Sequence, residues 1–151
     1  MTLMRTTIHG VEQVKSHLRY VADTVPKNAR KSFHAAADHI VEESKLNAPH
    51  DDGELEDSIH QEVKYEARGR LQIDIVAGGI IRGVDVDQYA VIIHENYEGQ
   101  LKHGPGKNTL AKMAANPGRY IGSKFIQRAI DAEKPRLDRA MVEATNVDFV
   151  T

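Results

Sequence analysis

The chain contains no cysteine and no tryptophan, and aromatic residues make up only 5% of its 151 positions. Without cysteine, neither a disulfide nor a thiolate metal site can hold the fold, so the core must come from packing alone. With so few rings, an aromatic stacking platform for nucleic-acid bases is not expected. Long apolar runs are missing too. The longest stretches free of Asp, Glu, Lys and Arg are seven residues, Ile75–Ile81 and Gln88–His94. A membrane-spanning helix needs about 20 apolar residues. Residues Met1–Ile8 carry no apolar core of a secretory signal. The expectation is a soluble, cytosolic chain with no membrane partner. Its length suits one domain over residues 1–151, able to bury roughly 68–70% of its unfolded surface. Charged residues at 28% and hydrophobic ones at 40% argue against wholesale disorder.

The net charge of −2 conceals blocks. Residues 1–49 carry seven basic and five acidic side chains, for +2. Residues 50–98 carry four and twelve, for −8. Residues 99–130 carry six basic groups (Lys102, Lys107, Lys112, Arg119, Lys124 and Arg128) and no acid. The remainder carries three basic and five acidic groups, for −2. Such segregation suits either a solvated loop or a surface facing a polyanion or an acidic neighbour.

Hydrophobic periodicity gives the elements. Val11, Val14, Leu18 and Val21 recur at spacings of three and four and predict a helix over 9–24. Thr24 can cap a second, longer helix over 26–47, with Pro26 in its first turn. Phe33, Ala37, Ile40, Val41 and Ser44 form its expected buried stripe, and Pro49 ends it. His50-Asp51-Asp52-Gly53 is a turn, in which Asp51 or Asp52 can cap a short segment Glu54–Ser58. Alternation then sets in: Ile59, Gln61, Val63 and Tyr65, followed after a Gly-containing link by Leu71, Ile73, Ile75 and Ala77. That pattern is a β-hairpin. Tyr89–His94 reads as a third, central strand, so the sheet is placed over residues 58–95. A Gly- and Pro-rich basic loop is expected over 96–120, a helix over 123–145 and an unpatterned tail over 146–151. The predicted class is α+β: a mostly antiparallel sheet of three or four strands, packed against the long helix and the C-terminal helix.

Several patterns tempt a catalytic reading. His94, Glu95 and His103 suggest a metal site, but the zinc-protease pattern needs a second histidine four residues after the first, and that position is Glu98. Gly104-Pro105-Gly106-Lys107 lacks the earlier glycine and the Ser or Thr after lysine that a phosphate loop requires. The acidic cluster Asp51, Asp52, Glu54, Glu56 and Asp57 lacks calcium-loop spacing. The expectation is no cofactor, no metal and no enzymatic activity. A DNA-binding accessory role through residues 99–130 and a metal-dependent hydrolase stand as readings of other classes.

The segment Ala48-Pro49-His50-Asp51-Asp52-Gly53-Glu54-Leu55-Glu56-Asp57-Ser58-Ile59 resembles the Ala-Pro-x-Asp-Thr-Gly-x-Leu-x-x-Ser-Ile motif of the tail-component family of tailed bacteriophages, the tail-completion or neck proteins that join head to tail. A second set follows: Tyr89-Ala90, His94-Glu95, then Gly122-Ser123-Lys124-Phe125-Ile126 and Ala129. These are similar to the family's Tyr-Ala strand ending in Glu or His-Glu, its Gly-rich loop, and the Lys-Phe-Leu-type start of its C-terminal helix. The resemblance covers about residues 30–140. Asp52 departs from it where Thr is usual, and the loop 96–120 is extended.

The resemblance implies a structural virion protein, assembled in the host cytoplasm into a homo-oligomeric ring, six-fold by expectation, at the head–tail junction. Its implied neighbours are neck, terminator, connector or stopper, and tail-tube proteins, with DNA passing through the lumen. Pro49, Asp51, Gly53, Leu55, Ser58, Ile59, Tyr89, Ala90, His94, Glu95, Lys124 and Phe125 are then scaffold residues. A ring needs two different complementary surfaces on each subunit. Lys102, Lys107, Lys112 and Arg119 against Asp51, Asp52, Glu54 and Glu56 are the expected pair, with loop 96–120 as the contact segment.

Overall fold

A computed structural model of the chain describes residues 10–147. The elements are α1 (Val11–Asn47), α2 (Glu54–Ser58), β1 (Ile59–Tyr65), β2 (Leu71–Ala77), β3 (Ile80–Ile81), β4 (Val84–Asp85), α3 (Asp87–Gln100), α4 (Lys107–Ala115) and α5 (Phe125–Thr145). The class is α+β, with helix predominating. Most of the tail beyond Thr145 lies outside the described residues.

The two helices expected over 9–24 and 26–47 are one, so Thr24 caps nothing. Proline in a helix removes one amide donor and presses on the preceding turn. Pro26 lies on the exposed side of α1, where the unpaired carbonyl can turn to water. Pro135 lies inside α5 in the same exposed way. The buried line of α1 runs through Ala36, Ala37, Ser44 and Asn47. Phe33, expected inside, is 41% exposed.

Helix α5 packs antiparallel on α1. Ala35 and Ala36 lie across from Leu137 and Ala140. His39 Nδ1 meets the buried Glu133 carboxylate at 2.5 Å. The β1–β2 hairpin forms as expected, with Ile59 opposite Ala77, Val63 opposite Ile73 and Tyr65 opposite Leu71. It lies along α1: Gln61 Nε2 donates to Asp38 at 2.5 Å, His34 meets the Tyr65 hydroxyl at 3.1 Å, and Arg30 donates to the Gly69 carbonyl at 3.1 Å.

Two expectations fail here. Tyr89–Glu95 is not a central strand but part of α3, so the four strands form two separate two-stranded sheets. Val86, Ala90 and Tyr97 are buried and Ile93 is half-buried, which is helical spacing. Val91 and Ile92, on the opposite side, are 67% and 49% exposed. Nor is 96–120 one long loop, since it holds the end of α3 and all of α4.

The core unites Ala48, Leu55, Ile59, Val86, Ala90 and Phe125. Phe125 and Ile59 are fully buried, each stabilising the fold by about 1.5–3 kcal/mol. Among the described residues no helix is long and apolar enough to cross a membrane.

Candidate functional site: the motif junction and its acid-rimmed cavity

The turn after α1 is held by α4. A helix ends with carbonyls that lack intrahelical partners and carry partial negative charge. Lys112 of α4 supplies a cation there. Its ammonium donates to the carbonyls of Lys45 (2.6 Å) and Ala48 (2.7 Å) and to the Glu56 carboxylate. Thr109 accepts from the His50 amide (3.1 Å) and donates to the His50 carbonyl (2.6 Å). Asn108 donates to the Asp51 carbonyl at 2.6 Å. Gly53, at φ +91°, starts α2 without any side-chain cap, so Asp51 and Asp52 do not have the capping role expected of them. Leu55 and Ile59 enter the core, and the buried Ser58 hydroxyl donates back to the Leu55 carbonyl at 2.7 Å.

The second motif closes on itself across 26 to 31 residues of chain. Helix α3 breaks at Asn96 (φ −153°, ψ 62°), whose side chain accepts from the Gly99 amide at 3.0 Å and starts a last turn. The break leaves the His94 carbonyl and the Tyr97 amide without helical partners. Residues before α5 replace them: the Lys124 amide donates to the His94 carbonyl (2.6 Å), and the Tyr97 amide donates to Ser123 Oγ (2.8 Å). The Lys124 ammonium also pairs with Glu95. Phe125 meets the His94 ring edge-on at 4.9 Å. His94 Nδ1 sits 2.9 Å from Glu95, while its Nε2 is buried without a partner.

Glu98 completes the junction. Burial pulls its carboxyl pKa upward, but hydrogen bonds from Ser123 and Tyr120 outweigh that and bring it down to about 2. Lys124 first, then His94, hold the Glu95 carboxyl below its ordinary value by hydrogen bonding. Arg128 has no counterpart among the expected site residues. Its guanidinium donates to the carbonyls of Tyr120 (2.6 Å), Ser123 (3.0 Å), Asn47 and Gly122 (3.3 Å each), and lies 4.5 Å above the Tyr120 ring. Burial lowers its pKa. A sequence signal existed: a basic residue in the first turn of a helix opposes the helix dipole and needs a local reason.

These contacts change the account of the basic block. Lys112, Arg119 and Arg128 are internal struts, and Lys124 pairs with Glu95 at the surface. Arg119 donates to Glu43 (2.7 Å) and Asn47 (3.0 Å), and hydrogen bonding from Arg119 holds the Glu43 carboxyl below its usual value. Lys112 is only 13% exposed at its side chain. Lys112 and Arg119 are therefore not free interface charges, and substituting Lys112 would destabilise the subunit itself. Lys102 and Lys107 remain exposed. On the acidic side, Glu56 is held by Lys112 and by His50 at 3.0 Å, and Glu54 faces Arg82 at 3.6 Å.

Asp51 and Asp52 are different. They are exposed, and their carboxylates have no ion pair or hydrogen bond among the described residues. Both line a cavity of about 450 Å3 beside the turn. Pro49, Leu55, Val84, Tyr89, Ile93, Tyr97 and Leu101 give it apolar walls. Burial first, then the charges of Glu54, Asp51 and Asp52, push the Tyr89 hydroxyl pKa upward. The cavity is thus apolar within and negative at its rim, which suits a cation on an apolar stem.

The structure does not join His103 to His94 and Glu95: among the described residues no group of three or more His, Asp or Glu side chains could hold a metal ion. Comparison of the chain with protein-family models, curated proteins and solved structures found no match.

Proposed function

We propose that the chain is a structural virion protein of a tailed bacteriophage, a neck or tail-completion component that forms a ring at the head–tail junction. The observation that carries this reading is the meeting of the two resembling segments. Residues 48–59 and 89–125 are far apart in sequence, yet Ala48, Leu55, Ile59, Ala90 and Phe125 share one core. Glu56, Ser58, Glu95, Ser123 and Lys124 of these segments serve as struts around that core, as scaffold residues should. Terminator and stopper roles belong to the same reading, with neighbouring neck, connector and tail-tube proteins as partners and DNA passing in the lumen. The acid-free segment gives little support to a DNA-binding role, because four of its six cations already have carboxylate or carbonyl partners.

The test is genetic and visual. Disrupting the gene in the phage that carries it should yield DNA-filled heads and finished tails that stay apart. Adding the purified chain to that lysate should restore joined, infectious particles. Normal particles without the chain would overturn the proposal.

A further inference from the structure

Two exposed surfaces lie at opposite ends of α1. At its N-terminal end α1 runs beyond the hairpin and α5. Arg30 reaches the hairpin tip at Gly69, and Lys31–Ala36 face Glu133–Ala140 of α5. Thr145 ends α5 five residues beyond Ala140, about 7.5 Å further, level with α1 near residue 27. Residues 11–26 extend past both, about 24 Å of helix. On this arm Val11, Val14 and Leu18 are 46%, 59% and 61% exposed. Lys15 and Arg19 each follow an apolar residue by one position, so a basic row runs beside the apolar row. Lys15 pairs with Glu12 at 2.9 Å on the same exposed turn, a contact of small worth.

At the other end lies the acid-rimmed cavity, beside Pro49. About 48 Å of straight helix separates Lys15 from Asn47, so a chain's arm cannot enter its own cavity. We propose that the arm of one copy docks in the cavity of the next, with Val14 and Leu18 against Tyr89, Ile93 and Leu101, and Lys15 and Arg19 against Asp51 and Asp52. A volume of about 450 Å3 takes the two inserted side chains but not the body of a helix. Side chains four apart on a helix stand about 5–6 Å from each other, a spacing that two adjacent carboxylates can meet. The two surfaces are different, so the contact is heterologous, and its repetition closes a ring or grows a filament. This contact takes its biological setting from the ring reading above, but it is a property of the purified chain.

Three variants test it by sedimentation of folded protein at a concentration where the wild type associates. Val14→Gln with Leu18→Gln disables the arm, and Asp51→Lys with Asp52→Lys disables the cavity. Each alone should associate at least tenfold more weakly. Mixed, they should form a 1:1 dimer that grows no further, because one good arm and one good cavity remain. Adding Lys15→Glu and Arg19→Glu to the cavity variant should restore association. The proposal is overturned by a wild type that stays monomeric, by an arm or cavity variant that associates normally, or by a mixture that stays monomeric. Arms pairing with arms would show as a cavity variant of normal association. A chain that restores joined particles yet fails the mixing test removes this contact and leaves the virion reading. The reverse pattern removes the virion reading alone.

Discussion

Replacing Lys112 with methionine keeps most of the stem and removes the ammonium. That ammonium has three protons, and three oxygens receive them: the Lys45 and Ala48 carbonyls and the Glu56 carboxylate. A hydrogen bond involving a charged group contributes about 1.5–3 kcal/mol, and a stranded buried acceptor costs a similar amount. Three such losses do not add in full. His50 still faces Glu56 at 3.0 Å, and water can reach part of the site. A net loss of about 3 kcal/mol follows, a large share of the roughly 5–15 kcal/mol that holds a domain together. At a urea slope of about 2 kcal/mol/M, the unfolding midpoint should fall by about 1.5 M. Lys107→Met, at an exposed lysine five residues earlier, should change stability by less than about 0.5 kcal/mol. Lys112→Met with Glu56→Gln should cost less than the two single changes together, since neither then leaves a lone charge. If Lys112→Met unfolds at the same urea concentration as Lys107→Met, the strut account of the basic block is wrong.

Other substitutions probe the remaining parts. Glu98 has its pKa lowered from 4.5 to about 2, so its stabilisation is fully present above pH 4.5 and fades as pH falls towards 2. Because the side chain is exposed, screening reduces its worth to about 1 kcal/mol. Thermal unfolding of Glu98→Gln should lie below wild type at pH 7 and coincide with it near pH 2. A pH-independent difference would contradict this. Gly53→Ala should destabilise by about 1–2 kcal/mol in urea, because φ is +91° and the new methyl would stand 3.4 Å from the His50 ring. Pro26→Ala should slow amide exchange across residues 11–25, since it returns a missing donor to an exposed stretch of α1. Unchanged exchange there would mean that Pro26 does not weaken the arm.

How far the sequence foretold this architecture depended on the width of the pattern being read. The β1–β2 hairpin and α5 stood out because alternation and the 3.6-residue stripe each persisted for many residues. Tyr89–His94 misled because six nearly apolar, β-branched-rich residues fit a buried strand or a helix equally well. A window from Val86 to Tyr97 separates them, since positions 86, 90, 93 and 97 point inward and 91 and 92 outward. Pro26 looked like a helix boundary because propensity penalises it, but an exposed proline in a long helix is tolerated. For the site, the motif residues Leu55, Ile59, Ala90 and Phe125 were legible as scaffold. The partners of Lys112 and Arg119, and the Asn47 carbonyl that Arg128 reaches, were not, because they come from contacts spanning 56 to 81 residues, which no local pattern encodes. At Lys112 and Arg119 the charge block therefore pointed to an interface where the fold makes internal struts.

A symmetry-averaged density map of the head–tail joint, from particles of the phage that carries this gene, tests the central claim most directly. The account predicts a ring in which the antiparallel α1–α5 pair recurs around the axis, once per copy. A joint whose density contains no such pair, in particles that are complete and infectious, would contradict it.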